Sequence, residues 1–249
     1  KMYYNPNVTY TPPVDHDGNS LGNASFTSAW NDGYNQSSTC TLNLSTHYRP
    51  TWSYGNHCDQ TDSSSEYAGG AEAAYYYLFD NTNNSCNGSI TDDYCYDKVV
   101  VSSTSGSGGT DETTNFANWY SYYRKRIYAM KAAASRSFAN LSDDFRLSMQ
   151  LINDNSSNAV SQVKKFVGTQ RADFYNWLFN VDAVGNTPLV RSVYRAGEYL
   201  TTAEPYRDDP ALATSPERAC RQNFHVLMTD GYWNTSSGVG GNKDNESHT

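Results

Sequence analysis

Apolar residues recur at spacings of three and four from Phe116 through Tyr120, Tyr123, Ile127, Met130, Ala134 and Phe138 to Leu141. That period makes one face of a helix apolar, and it predicts a continuous helix over 116–141 packed on a sheet or another helix. The period then changes. Residues 145–151 alternate as a strand with one buried face does, and 160–167 reads as a second strand. Residues 171–179 return to helical spacing, with Phe174, Trp177 and Leu178 on one side. Gly185-Asn186-Thr187-Pro188-Leu189 opens a further helical pattern that runs to Leu200. Pro188 suits its first helical position and Thr187 its N-cap. A loop rich in Pro and Asp covers 201–216, and 223–228 is a short apolar run without helical spacing, which suits a buried strand. That run ends on Thr229-Asp230-Gly231. Helices and strands in this order read as α/β.

Residues 1–112 have a different character. They open on an extended, Pro-marked segment, 4–13, and continue with scattered aromatic anchors such as Trp30, Trp52 and Tyr54. Asp15-His16-Asp17-Gly18-Asn19-Ser20 alternates oxygen donors as a calcium loop does. Ser20 stands where the turn glycine belongs and no Glu closes the loop, so it reads as a turn. Residues 73–79 and 98–102 are rich in Tyr and Val and predict a hairpin across a long loop. Residues 102–110, made of Ser, Thr and Gly, read as a flexible linker. The chain thus divides into a Tyr-, Asn- and Ser-rich subdomain, 1–112, and an α/β core, 113–249.

Composition narrows the function classes. Of 249 residues, 37% are hydrophobic, 18% are charged and 21 are tyrosine, which fits a surface-exposed, β-rich and loop-rich protein better than a cytosolic helical enzyme. The net charge of -8 argues against a nucleic-acid partner, which needs clustered cations. Arg124-Lys125-Arg126 reads as a solvated helix face. No apolar run approaches a transmembrane span. Lys1-Met2-Tyr3-Tyr4 has no signal-peptide core, so an exported protein would carry its signal upstream. Five cysteines lie at 40, 58, 86, 95 and 220, without Cys-x-x-Cys spacing or His partners for zinc. Two disulfides are the simplest account and imply an oxidising compartment. Connectivity is not legible from sequence; nearest-neighbour pairing joins Cys40 to Cys58 and Cys86 to Cys95. Cys220 is then free or paired outside this chain.

Asp230 stands just past the carboxyl end of the apolar run, where open α/β sheets place ligands. Its carboxylate suits a hard cation, although an Asp before Gly also simply caps a turn. The Thr187 hydroxyl is the second oxygen that could face the same cleft. There is no Gly-x-Ser-x-Gly or His-Glu-x-x-His, and the acidic residues are too scattered to define a glycosidase pair. His225, inside the apolar run, reads as a core histidine.

Several stretches carry a resemblance. Tyr4-Asn5-Pro6-Asn7-Val8-Thr9-Tyr10, Asn23-Ala24-Ser25-Phe26, Asn115-Phe116-Ala117-Asn118-Trp119-Tyr120-Ser121-Tyr122-Tyr123-Arg124, Gly185-Asn186-Thr187-Pro188-Leu189 and Thr229-Asp230-Gly231-Tyr232-Trp233-Asn234 resemble, in family order, the type IV pilus tip-associated PilY/PilC proteins. The resemblance implies a von Willebrand factor A-like (Rossmann-like) sheet with helices on both faces, and makes residues 1–112 its insertion. It implies a metal-ion-dependent adhesion site holding Mg or Ca, with Thr187 and Asp230 among the metal ligands. The family's Asp-x-Ser-x-Ser loop is missing: Asp62-Ser63-Ser64-Ser65-Glu66 and Asp154-Asn155-Ser156-Ser157-Asn158 both fail at the fifth position. The chain therefore reads as an internal piece of a longer protein, in which two oxygens alone hold a cation weakly or not at all. The resemblance also implies export through the periplasm to the pilus tip and minor pilins as partners. It implies a non-enzymatic role in pilus assembly and in adhesion to host cells or abiotic surfaces. A glycan- or surface-binding module and a secreted glycoside hydrolase are the alternatives.

Overall fold

The computed structural model describes residues 3–48, 72–82, 85–154, 156, 159–229 and 231. The chain forms two compact units, Lys1–Arg136 and Ser137–Thr249. This division does not coincide with the change of composition at residue 112, because the helix that follows that change lies inside the first unit's core.

In the first unit, β1 (Ala29–Trp30) pairs antiparallel with β2 (Thr41–Leu42). β3 (Tyr75–Phe79) pairs antiparallel with β4 (Tyr96–Val100), Tyr77 opposite Lys98. This is the hairpin that the Tyr- and Val-rich runs predict, with β4 starting two residues earlier. α1 spans Thr113–Tyr122 and is buried on every side from Phe116 to Tyr122. An all-round buried helix is the centre of a core, not its cover. Tyr4, Tyr48 and Trp119 pack their rings on Phe116 at centroid distances of 4.8, 5.5 and 5.0 Å. The stretch 102–110 is no free linker. Its hydroxyls bond back to the chain, as Ser and Thr do in turns: Ser105 Oγ accepts from Ser102 N (2.9 Å), and Thr110 Oγ1 donates to Ser107 O (3.1 Å). The 15–20 segment is a turn, in which Asp15 Oδ1 accepts from the backbone N–H groups of Asp17 and Asn19.

The continuous helix over 116–141 is two helices. α1 stops at Tyr122 and α2 covers Arg126–Ala139. The apolar period runs through the break, so the pattern could not show it. Tertiary contacts satisfy the carbonyls where α1 ends. Tyr123 N donates to Trp119 O (2.8 Å) and Gly33 N donates to Ser121 O (3.1 Å). Arg124 turns back onto Tyr120 O and onto Asn31. The Tyr34 hydroxyl lies 3.2 Å from Tyr122 O and 2.6 Å from Tyr128 O. Arg124 is therefore an organising side chain, 4.0 Å above the Tyr120 ring, and not part of a solvated basic face. On α2 the buried side carries Tyr128, Lys131, Ala132 and Ser135, whereas Ile127 and Met130 of the expected core stripe are only half-buried. Lys131 is 1% exposed, its ammonium 5.2 Å from the Tyr34 ring centroid.

In the second unit, β5 (Arg146–Leu147) pairs antiparallel with β6 (Lys164–Lys165). Phe166 N donates to Phe145 O and Ser161 N to Met149 O, so the two expected strands do run side by side, but only two residues of each form regular ladder. α3 spans Gly168–Asn180 and α4 spans Leu189–Leu200. Phe138, Phe166 and Phe174 form an aromatic core, with centroids 4.7 to 6.2 Å apart. The Arg171 guanidinium lies over Phe166 and donates to the carbonyls of Phe166 and Leu141. The Pro- and Asp-rich loop after α4 closes on itself: Asp208 accepts from Arg218 (2.9 Å) and Arg221, and Arg218 N donates to Tyr206 O.

The helix and strand mixture of the α/β reading stands, but among the described residues the strands form only three two-stranded antiparallel sheets. The run 223–228 is not a buried strand. Phe224 is 77% exposed and Val226 68% exposed, and no strand is assigned there. An apolar run becomes a buried strand only where neighbours cover both of its faces, and the described residues supply none.

Candidate functional site

Three places carry candidate chemistry. The first is a buried carboxylate. Glu112 precedes α1, where its carbonyl accepts from Phe116 N (3.0 Å), and its side chain turns into the core at 4% exposure. Its Oε1 accepts from the Tyr4 hydroxyl (2.8 Å), and its Oε2 accepts from Ser105 Oγ (2.8 Å) and the Tyr76 hydroxyl (3.2 Å). One carboxylate thereby gathers the N-terminal segment, the β3 strand and the 102–110 turn onto the start of α1. Two asparagines of α1 extend the arrangement. Asn115 Oδ1 accepts from Tyr10 N (2.8 Å), while its Nδ2 donates to Val8 O (2.9 Å) and to the Tyr4 hydroxyl (3.0 Å). Asn118 Oδ1 accepts from Ala24 N (2.8 Å), and its Nδ2 donates to Asn23 Oδ1 (2.9 Å).

Burial here raises the phenols. Tyr76 is pushed up to about 12 by burial first and then by the nearby Glu112 charge, and Tyr122 to about 12 by burial. Tyr4 rises as well, from burial and then its hydrogen bond to Glu112. In the unfolded chain tyrosines titrate at about 10. Between these values the folded chain holds more protons than the unfolded one, so stability is complete below about pH 10 and falls as pH rises towards about 12. The denaturant midpoint, followed against pH, is expected to decline through that window, and Tyr76→Phe is expected to make the decline shallower. A midpoint flat to pH 12 would contradict the assignment.

The second place is the hairpin. β3 and β4 put Tyr75, Tyr77 and Phe79 on one face with Tyr96, Lys98 and Val100. Rings meet edge to face, Tyr75 with Tyr77 (5.6 Å) and Phe79 with Tyr96 (5.5 Å). Lys98 Nζ sits 3.9 Å over the Tyr75 ring and 2.6 Å from Glu72 Oε2, so the face's one ammonium is already paired. Cys86 and Cys95 are joined across the loop that connects the strands, with Cα atoms 4.7 Å apart. Cys40 is also disulfide-bonded; Cys58, its nearest neighbour in sequence, lies outside the described residues. Cys220 is a free, exposed thiol.

The third place is the expected metal position. Thr187 is half-buried, and its carbonyl accepts from Leu189 N (2.9 Å). α4 starts one residue later than the sequence suggests, with Pro188 as its N-cap, so Thr187 is not the cap. Asp230 lies outside the described residues, and the structure neither joins it to Thr187 nor separates them. No group of three or more His, Cys, Asp or Glu that could hold a metal occurs among the described residues. The described donor at this position is one neutral hydroxyl. It does not by itself fit a hard cation, which takes six or more oxygens as Ca²⁺ or keeps several waters as Mg²⁺.

No family model and no solved structure matches the chain. Three curated relatives do. The type IV pilus biogenesis factor PilY1 of Pseudomonas aeruginosa strain PAK is 38% identical over 267 residues, covering 100% of this chain. The PilY1 of strain PAO1 is 36% identical over 98% of the chain, and that of strain UCBPP-PA14 is 35% identical over 100%.

The chain belongs to the PilY1 family. It spans 21–22% of the length of these relatives. The stretches on which the resemblance to this PilY1 family rests acquire a physical meaning. Tyr4 to Tyr10, Asn23 to Phe26 and the Asn-Phe-Ala-Asn-Trp-Tyr run are one assembly, held by Asn115 and Asn118. The sequence reading missed Glu112. The one available signal was a carboxylate immediately before an aromatic helix in a chain poor in charge.

Proposed function

We propose that the full-length protein is a type IV pilus biogenesis factor, placed at the pilus tip on the bacterial surface after export through the periplasm. In this reading the chain is a non-enzymatic adhesion and assembly module whose partners are minor pilins and a host-cell or abiotic surface. The observation that carries it is identity above a third, along essentially the whole chain, to three proteins named for pilus biogenesis. The Cys86–Cys95 disulfide supports an oxidising compartment. No helix among the described residues is long and apolar enough to cross a membrane.

Residues 113–249 contain, in this proposal, part of a von Willebrand factor A-like sheet. The solvent exposure of Phe224, Val226, Leu227 and Met228 supports it. A contiguous apolar run in water marks a surface that another element covers, and strands of the longer protein would do so. Thr187 and Asp230 would then contribute to one divalent-cation site whose remaining oxygens come from elsewhere in the full-length protein.

The test is complementation. A strain lacking the protein should regain surface pili and attachment when given the full-length gene, and lose both when residues 1–249 are deleted from it. Normal piliation and attachment with the deletion would refute the proposal. For the cation, calorimetry with Mg²⁺ and Ca²⁺ on the full-length protein should show binding that Asp230→Ala abolishes; equal affinity in both would remove Asp230 from the site. The alternative of a glycan-binding module draws on the exposed rings of Tyr77 and Phe79. Binding to a glycan array that Tyr77→Ser abolishes would favour it.

A further inference from the structure

Among the described residues, the β3 strand has an open backbone edge. Val101 N donates to Ala74 O and Asp80 N donates to Cys95 O, each at 2.8 Å. Antiparallel partners exchange hydrogen bonds at alternate residues, so the even-numbered positions of β3 bond across the hairpin. The amide and carbonyl groups of Tyr75, Tyr77 and Phe79 therefore point away from β4. The segment before β3 is covered, since Ala74 N donates to Leu44 O (2.7 Å) and Tyr48 bridges Glu72. From Tyr75 onward no backbone bond reaches this edge from any described residue outside the hairpin. The side chains there are apolar and exposed: Tyr77 58%, Leu78 44% and Phe79 39%. Such an edge is a template for another strand.

Charge distinguishes the two edges. β3 reads Tyr-Tyr-Tyr-Leu-Phe and has no charge; β4 reads Tyr-Asp-Lys-Val-Val. Pairing two β4 edges about a two-fold axis at Lys98 would set Lys98 against its own copy, and like charges directly opposite are destabilising. Pairing two β3 edges about Tyr77 meets no such penalty. It sets Tyr77 opposite Tyr77 and Tyr75 opposite Phe79, all on outward-bonding positions, so every open amide and carbonyl finds a partner. Opposite residues share a face, so the rings of Tyr75, Tyr77 and Phe79 would run into one aromatic surface across the junction.

We propose that two copies of this chain pair antiparallel through β3, forming a continuous four-stranded sheet in the order β4, β3, β3 of the second copy, β4 of the second copy. The contact is isologous and closes on itself, as a two-fold dimer requires.

Sedimentation equilibrium of the purified protein is expected to show a concentration-dependent species of twice the chain mass. Tyr77→Lys and Tyr77→Glu are each expected to be monomeric, because each sets like charges face to face across the axis. An equimolar mixture of the two should recover the doubled mass as a heterodimer, since opposite charges then meet. Far-ultraviolet circular dichroism of both variants should match the parent, because Tyr77 is exposed and Lys98, which stands opposite it within the hairpin, is paired with Glu72. A parent protein monomeric at all concentrations, a dimer that persists in Tyr77→Lys, or a mixture that stays monomeric would each overturn the proposal. Loss of the dimer on changing Lys98 but not Tyr77 would assign the contact to β4 instead.

Discussion

Replacing Glu112 by Ala is expected to destabilise the first unit by about 3 to 5 kcal/mol, from the cost of leaving buried donors without an acceptor. The hydroxyls of Tyr4, Tyr76 and Ser105 all donate to this one carboxylate, at 2.8, 3.2 and 2.8 Å. Tyr4 and Tyr76 are both 9% exposed, so water does not readily replace the lost acceptor. Glu112→Gln is a milder change. It keeps one acceptor oxygen but offers an NH₂ where hydroxyls already donate, and about 1 to 2 kcal/mol is the expected loss. The order Glu112→Ala well below Glu112→Gln, read from urea midpoints at constant slope, checks the assignment. A loss under about 1 kcal/mol for the Ala variant would mean that the hydroxyls find other partners, and would remove Glu112 from the centre of the unit.

The second large effect belongs to Gly33. This glycine is needed for space, not for a left-handed backbone. A Cβ built on it meets Tyr122 Cδ1 at 2.5 Å, Tyr122 Cε1 closer still, and Ser121 O at 2.9 Å. Tyr122 is fully buried, and its hydroxyl donates to Gly22 O (2.9 Å) while accepting from Gln36 Nε2 (3.2 Å), so the ring cannot swing aside without breaking both bonds. The Gly33 N–H also caps the Ser121 carbonyl at the end of α1. Gly33→Ala is therefore expected to cost about 2 to 3 kcal/mol, in the range of core overpacking. A double-mutant cycle with Tyr122→Ala reads the cause: contacting residues couple, so the Gly33→Ala penalty should shrink sharply once the ring is gone. An unchanged penalty would place the strain elsewhere.

Local pattern was enough for several elements. The two Tyr- and Val-rich runs form a hairpin, and the cysteines between them are joined, because strands flanking a polar loop need only each other to pair. The helices at Gly168–Asn180 and Leu189–Leu200 follow their apolar spacing. The oxygen-rich 15–20 stretch is a turn because Asp15 can bond amides two and four residues on. Of the candidate metal position the sequence shows Thr187 before a helix and Asp230 after an apolar run; Asp230 lies outside the described residues.

What the sequence could not determine depends on contacts between residues far apart in the chain. Spacing reports which residues share a face of a helix or strand; it does not report what covers that face. The apolar period from Phe116 to Leu141 is unbroken, yet the helix ends at Tyr122 because Gly33 and Tyr34, about ninety residues upstream, satisfy its last carbonyls. The buried side of α2 includes Lys131, which no pattern of apolar residues would select, because its ammonium finds the Tyr34 ring there. The run 223–228 has the composition of a buried strand and stands in solvent, because burial is a property of neighbours that the described chain does not supply. Glu112 is legible as one acidic residue among many until folding brings Tyr4, Tyr76 and Ser105 to it; desolvation then makes that single carboxylate the acceptor on which the three segments depend.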